Sequence, residues 1–287
     1  MTHTDHSTTS YWDYIQTEAL LSLQNPKTNL PDEAVFIMYH QVTELVFKMI
    51  LHELQQLVEN PFSTDAMGIK VDRINRYTEL LISSFAIMKH GMDHNEYNRF
   101  RKELAPASGF QSVQFRYIEI YCTRITNLLS KNITIDLGAS PSVALCFEYL
   151  YWKEAGHDHQ TGKKTPTLLD FEEKYEKELI SLATNVRGKT LEDQLLNLPN
   201  PNPAIEEKLK TFDYLYNVKW PLVHLDTAQH YLDSRGENKP ATGGSDWKKY
   251  LHPRHQQRSF FPSLWDKSEI YDWAEPRKTD LDKNITS

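Results

Sequence analysis

Phe36-Ile37-Met38-Tyr39-His40-Gln41-Val42-Thr43-Glu44-Leu45, continued by Lys48 and by Leu51-His52-Glu53-Leu54, is the stretch whose reading decides the fold. Wound as an α-helix, it brings Phe36, His40, Phe47, Leu51 and Leu54 near one face. That face buries an imidazole one turn beyond an aromatic ring. An imidazole so placed is either a satisfied core histidine or a group that does chemistry, because histidine titrates near neutrality. Helical spacing alone leaves both open.

Outward from this helix the pattern stays helical. Pro31-Asp32-Glu33 opens it, giving a helix over about 32–59, since proline and acidic residues suit a first turn. Asn60-Pro61 ends it. A short amphipathic helix over 11–24 precedes it, stopped by Asn25-Pro26. Further helices are expected over about 65–90, 94–104, 110–129, 141–153, 167–184 and 206–232. Pro221 falls inside the last and predicts a kink or local restart. The Leu198 to Pro203 stretch is too proline-rich to be helical. Residues 154–166 and 235–245 read as polar loops. No period-2 strand, repeat or low-complexity tract stands out. The fold class is all-α, with helices packed antiparallel through short connections. The organisation expected is a flexible N-terminus over 1–10, one helical domain over 11–266 and a polar tail over 267–287.

The 287 residues suffice for one large domain with a substantial core. A formal charge of −7 argues against nucleic acid as a partner. The only cysteines are Cys122 and Cys146, with no CxxC, which argues against a disulfide framework or a thiolate metal site. The first ten residues hold no apolar core of a secretory signal. No apolar run approaches the roughly 18 residues of a membrane span. A cytoplasmic, reducing location is the expectation. The 15 Tyr, 12 Phe and 6 Trp would suit a pocket for a flat ligand, or simply fill a core.

Three segments could carry chemistry. The first is Phe36 with His40. The second runs from Glu96-Tyr97 through Phe100-Arg101 into Ser108-Gly-Phe-Gln-Ser112 and Arg116-Tyr-Ile-Glu119. Tyr97 and Arg101 lie four apart, so a helix sets a phenol beside a guanidinium. That pair is either a carboxylate clamp or an ordinary surface helix. The third is Trp220-Pro-Leu-Val-His224, followed by Thr242-Gly-Gly-Ser245. A neutral imidazole on such an apolar helix can bind heme iron, or can be a core histidine bonded to a carbonyl. Thr-Gly-Gly-Ser offers a hydroxyl and amides to an anionic group, as many turns do. His157 and His159 form a possible metal pair without a clear third ligand. Dinucleotide, P-loop, zinc-protease and serine-hydrolase motifs are absent.

In order along the chain, these segments resemble the tryptophan 2,3-dioxygenase family. The resemblance rests on Tyr11-Trp-Asp-Tyr14, Leu20-Leu21 and Gln24-Asn-Pro26; on Asp32-Glu33, Phe36-Ile37, His40-Gln41, Glu44-Leu45, Lys48 and His52-Glu-Leu54; on the second segment above; and on Trp220, His224, Thr242-Gly-Gly-Ser245 and Phe261-Pro262. It weakens in the C-terminal third. It implies an all-helical heme b protein, assembled as a homotetramer, that inserts both atoms of O2 into the indole C2–C3 bond of L-tryptophan to give N-formylkynurenine. By the same resemblance His224 is the axial heme ligand and His40 the histidine that contacts the indole N–H. Phe36 packs on the indole, Arg101 pairs with the substrate carboxylate and Tyr97 lines the same pocket. Thr242 holds the amino-acid end, and Tyr11 and Tyr14 reach into a neighbouring subunit's pocket. The relatives usually carry Arg-Gly before the threonine and small residues after the serine. This chain has Pro240-Ala241 and Asp246-Trp247. Those departures keep two rivals in view. One is a heme-dependent monooxygenase of tryptophan, methyltryptophan or tyrosine. The other is a heme or amino-acid binding protein without catalysis.

Overall fold

The computed structural model describes residues 9–59, 64–105, 107–157, 162–233, 236, 239, 247–253 and 258–273. Helix α1 spans Tyr11–Ile15 and α2 spans Thr17–Leu21. One helix is expected there; Gln16 breaks it by entering the left-handed region at φ 56°. Helix α3 spans Pro31–Glu59 and α4 spans Thr64–His90. They run antiparallel. Tyr39, early in α3, meets Phe85, late in α4, at a ring separation of 5.9 Å. Glu53, late in α3, bonds Lys70, early in α4, at 2.8 Å.

Helix α5 spans His94–Phe100 and tightens into a 3-10 turn over Arg101–Leu104, where a continuous helix to 104 is expected. Asp93 caps α5 by accepting from the Asn95 and Glu96 amides. The α3 start is tied to it, because the Asp32 amide donates to Glu96 at 3.2 Å. Helix α6 covers only Val113–Cys122 of the expected 110–129. Thr123 leaves the helix because its hydroxyl and the Arg124 amide both donate to buried Glu192 at 2.9 Å. Helix α6 lies along α3, held by Gln114 donating to the Glu44 carboxylate at 2.7 Å.

The expected helix over 141–153 divides into α7, Val143–Glu148, and α8, Tyr151–Ala155. A bridge between Leu129 and Leu150 extends the chain between them. Helix α9 spans Pro166–Asn185. Helix α10, Leu191–Leu196, has no counterpart in the sequence reading, although Thr190 and Asp193 form a reciprocal capping box before it.

Helix α11 spans Pro203–Tyr214 and α12 spans Trp220–Leu232. Between them Leu215–Lys219 forms a π turn, closed by the Trp220 amide donating to the Leu215 carbonyl. This is the restart expected at Pro221. Proline lacks an amide for the carbonyl four residues back and its ring crowds that carbonyl, so a regular helix is disfavoured there by about 3 kcal/mol. Both α11 and α12 lie along α4: Lys208 bonds Asp72 at 2.6 Å and Lys89 bonds Asp226 at 2.6 Å.

Helix α13 spans Trp247–Leu251 and α14 spans Lys267–Asp272. The latter occupies the start of the stretch expected to be a polar tail. Buried Trp273 holds it, edge-on to Trp265 at 4.6 Å, with Lys210 bonding Glu269. Among the described residues no strand forms, so the all-α expectation holds.

Helix α3 is long and apolar enough to cross a membrane by composition alone, with mean hydropathy 1.4. Here it is a core helix. Val46, Ile50, Leu54 and Leu57 are buried with Val71, Ile74 and Leu81 of α4 and Ile118 of α6. Leu54 is fully buried. Leu54→Ala is expected to lower unfolding stability by about 3 kcal/mol through lost transfer energy and a cavity. Denaturant titration of the ligand-free protein measures it.

Candidate functional site

Side chains of α3, α4, α5 and α12 meet at one end of the bundle. Phe36 and His40 are one helical turn apart on α3, with ring centroids 4.1 Å apart. The His40 Nδ1 sits 2.8 Å from the Phe36 carbonyl. A carbonyl can only accept, so Nδ1 carries the proton and the neutral ring presents Nε2 as an acceptor. Burial lowers the His40 pKa, and the Phe36 bond and the Glu44 charge oppose that shift only in part.

Tyr97 and Phe100 form the next wall. Phe36 lies 6.1 Å from Tyr97 and 5.6 Å from Phe100. Tyr97 also packs at 4.2 Å on Tyr231 of α12, whose hydroxyl donates to the Met88 carbonyl at 2.5 Å. Burial raises the Tyr97 pKa, while a hydrogen bond and the charge of Arg101 pull the other way. Arg101 is buried, so the surface-helix reading of the Tyr97–Arg101 pair does not hold. The phenol and guanidinium are side by side, as their four-residue spacing predicts.

The opposite wall comes from α12. His224 lies 5.4 Å from Phe85 and 5.7 Å from Trp220. Its Nδ1 is buried without a hydrogen-bond partner, so the alternative of a core histidine satisfied by a carbonyl is excluded at that atom. Burial pushes its pKa down to about 4, and the nearby His40 ring adds to the shift. The two imidazoles therefore share one electrostatic environment. Phe85 is the residue the sequence reading passed over. It falls within the expected 65–90 helix and is given no role there, yet it touches Tyr39, Trp220 and His224.

Other expected site residues fall elsewhere. Tyr11 and Tyr14 stand on α1, 71% and 80% exposed. Thr242 and the rest of Thr-Gly-Gly-Ser lie outside the described residues, as do Pro240, Ala241 and Asp246. Trp247 is buried among Met88, Met92, Tyr231 and Leu232, and its indole N–H donates to the Lys239 carbonyl at 3.1 Å. Its bulk anchors α13 on α12. His157 bonds the Lys153 carbonyl at 2.7 Å through Nδ1, and His159 lies outside the described residues. Among the described residues, no three His, Cys, Asp or Glu side chains gather as metal ligands.

A family model described as tryptophan 2,3-dioxygenase matches residues 1–132. A tryptophan 2,3-dioxygenase of Geobacillus thermodenitrificans is 30% identical over 290 residues, covering 92% of this chain and 93% of the relative. The enzyme of that name from Bacillus thuringiensis is 31% identical over 277 residues, covering 92% and 94%. The chain belongs to the tryptophan 2,3-dioxygenase family. A further relative of the same name, from Polaromonas naphthalenivorans, is 38% identical over 113 residues, only 38% of this chain. The family resemblance is thus carried along nearly the whole chain, with a stretch of higher identity.

Both imidazoles are held below the ordinary histidine pKa, so the folded state resists their protonation. The stability they contribute is full above the ordinary value of 6.5 and declines as pH falls below it, for His224 down toward about 4. Across that window the ligand-free protein is expected to lose at most about 1.4 kcal/mol per pH unit through His224. His224→Leu should flatten the slope in denaturant titrations run at a series of pH values.

Proposed function

We propose that this protein is a heme-dependent tryptophan 2,3-dioxygenase, an enzyme that adds both atoms of O2 across the indole C2–C3 bond of L-tryptophan to give N-formylkynurenine. The observation that carries this reading is the pair of neutral imidazoles, His40 and His224, in one aromatic chamber edged by buried Arg101.

The residues present suit the cofactor. A histidine that holds heme iron does so as a neutral imidazole with an available nitrogen. His224 meets that need: its low basicity keeps the ring neutral at pH 7, and its buried Nδ1 makes no hydrogen bond. Phe85 and Trp220 flank it as flat apolar walls. When bound, heme iron supplies the activation of O2.

The chain's own residues bind and orient the amino acid. The His40 Nε2, left as an acceptor by the bond at Nδ1, takes the indole N–H. Phe36 packs on the indole ring, and Tyr97 and Phe100 close the slot against water. The Arg101 guanidinium, steered by Tyr97, pairs with the substrate carboxylate. Thr242 takes the amino-acid end.

A homotetramer fits the distribution of apolar surface. Met38, Val42, Leu45 and Met49 form an exposed stripe on α3, and Tyr11, Trp12, Tyr14, Leu21 and Leu23 are exposed on or after α1 and α2. Tyr11 and Tyr14 are free to enter a second copy's chamber. Two buried, unpaired thiols, Cys122 and Cys146, suit a reducing cytoplasm.

The deciding experiment supplies heme, reductant, L-tryptophan and air, and weighs the product. A gain of two oxygen atoms is expected; a gain of one means hydroxylation, and no product means binding without turnover. His224→Ala should lose heme during gel filtration, and full retention removes the axial assignment. Arg101→Met should raise KM roughly 10- to 100-fold, because the carboxylate loses a charge-assisted hydrogen bond. Val42→Asp should shift the protein toward smaller species in light scattering; an unchanged mass removes the α3 stripe from the interface.

A further inference from the structure

The π turn at Leu215–Lys219 stands immediately before the segment that carries His224. A π turn accommodates one residue more than an α turn. Each α-helical residue turns the chain by about 100°. The extra residue therefore sets every side chain of α12 back by about 100°, relative to an unbroken helix continuing α11. In that unbroken helix Val223, not His224, would face Phe85.

Two features hold the turn. Pro221 supplies no amide to the Asn217 carbonyl, so the regular bond that would close the turn cannot form. The Asn217 side chain, inside the turn, donates to Asp213 at 2.7 Å. Asp213 is fully buried and takes four more donors from the C-terminal segment: the Phe260 and Phe261 amides at 2.9 and 3.1 Å, the Ser259 hydroxyl at 2.7 Å and the Trp265 indole at 2.9 Å. The turn is thus fastened from outside its own helix. Tyr216, within the turn, and Trp220, just after it, stack with 17° between their rings, and Trp220 meets His224 edge-on. These three residues follow one another at intervals of four and line up toward the chamber.

We propose that Pro221 is a positioning residue: with Asn217 and Asp213 it enforces the π turn that rotates the His224 imidazole into the chamber. The proposal rests on the reading of His224 as the axial ligand. Replacing Pro221 by a residue with an amide lets the helix close in the α register. His224 then turns away from Phe85 and Val223 takes its place.

Pro221→Ala, and Pro221→Gln as a second variant, test this in the full-length protein. Circular dichroism and a cooperative thermal transition establish folding. A crystal structure of the heme-free variant then reads the register directly. A closed α turn with position 223 beside Phe85 is expected; an intact π turn overturns the proposal whatever the cofactor. With heme supplied, affinity should fall about 10- to 100-fold, as when a partner that orients a metal ligand is removed. The imidazole–iron band in resonance Raman spectra of the ferrous protein should vanish. Val223→His added to Pro221→Ala should restore that band, which a merely structural role for Pro221 does not predict. His224→Ala in the wild-type background is the reference. If it leaves affinity and band unchanged, the axial reading fails and the proposed role of Pro221 falls with it. If it abolishes them while the Pro221 variants match the wild type, only the positioning role fails.

Discussion

Phe85 joins the two halves of the chamber. Its ring meets Tyr39 of α3 on one side and Trp220 and His224 of α12 on the other. Because α3 and α12 both pack on α4, a residue near the end of α4 fixes how far apart they stand. The two histidines then need no contact of their own to be brought together. They inherit their spacing from hydrophobic packing, the strongest and least directional force available. That packing also removes water, and water removal sets the basicity of both rings. A single apolar seam thereby provides geometry and electrostatics together.

The sequence was most legible where one physical signal dominated. Apolar periodicity placed α3, α4 and α9 almost to the residue, since each presents a continuous buried face. It overran wherever a side chain offered the backbone a different partner. Glu192 draws the Thr123 hydroxyl and Arg124 amide out of α6, and Glu192 is 69 residues away from Thr123. No local window contains that information. Helix α10 was missed for the opposite reason: it is six residues long, too short for a period, and its Thr190–Asp193 capping box was the only mark it left. The tail after Asp266 looked polar because Trp273 is a single residue, yet one buried indole suffices to dock α14.

The same distinction runs through the site. Phe36 with His40, and Tyr97 with Arg101, are four-residue pairs on helices, so their adjacency could be read directly. Their pairing with His224, on a helix more than 120 residues later, came only from family resemblance. Spacing could not tell whether Arg101 was exposed, and burial decides that question. Nor could it tell which His40 nitrogen carries the proton. The Phe36 carbonyl settles the tautomer, because an acceptor at 2.8 Å demands a donor.

Helix α3 is apolar on two faces at once. One face carries Val46, Ile50, Leu54 and Leu57 into the core, while Met38, Val42, Leu45 and Met49 face outward. A helix apolar on both sides has the mean hydropathy of a membrane span, although its buried Glu53 is bonded to Lys70 and Arg73. In a monomer the outer stripe would be exposed at a cost of about 25 cal/mol for each Å² of apolar surface left in water. His40 lies between these faces, next in sequence to Gln41, which receives a bond from Gln24 and donates to the Leu23 carbonyl of the N-terminal arm. The outer stripe and the face that carries His40 thus belong to one helix, tied by Gln41 to the N-terminal arm.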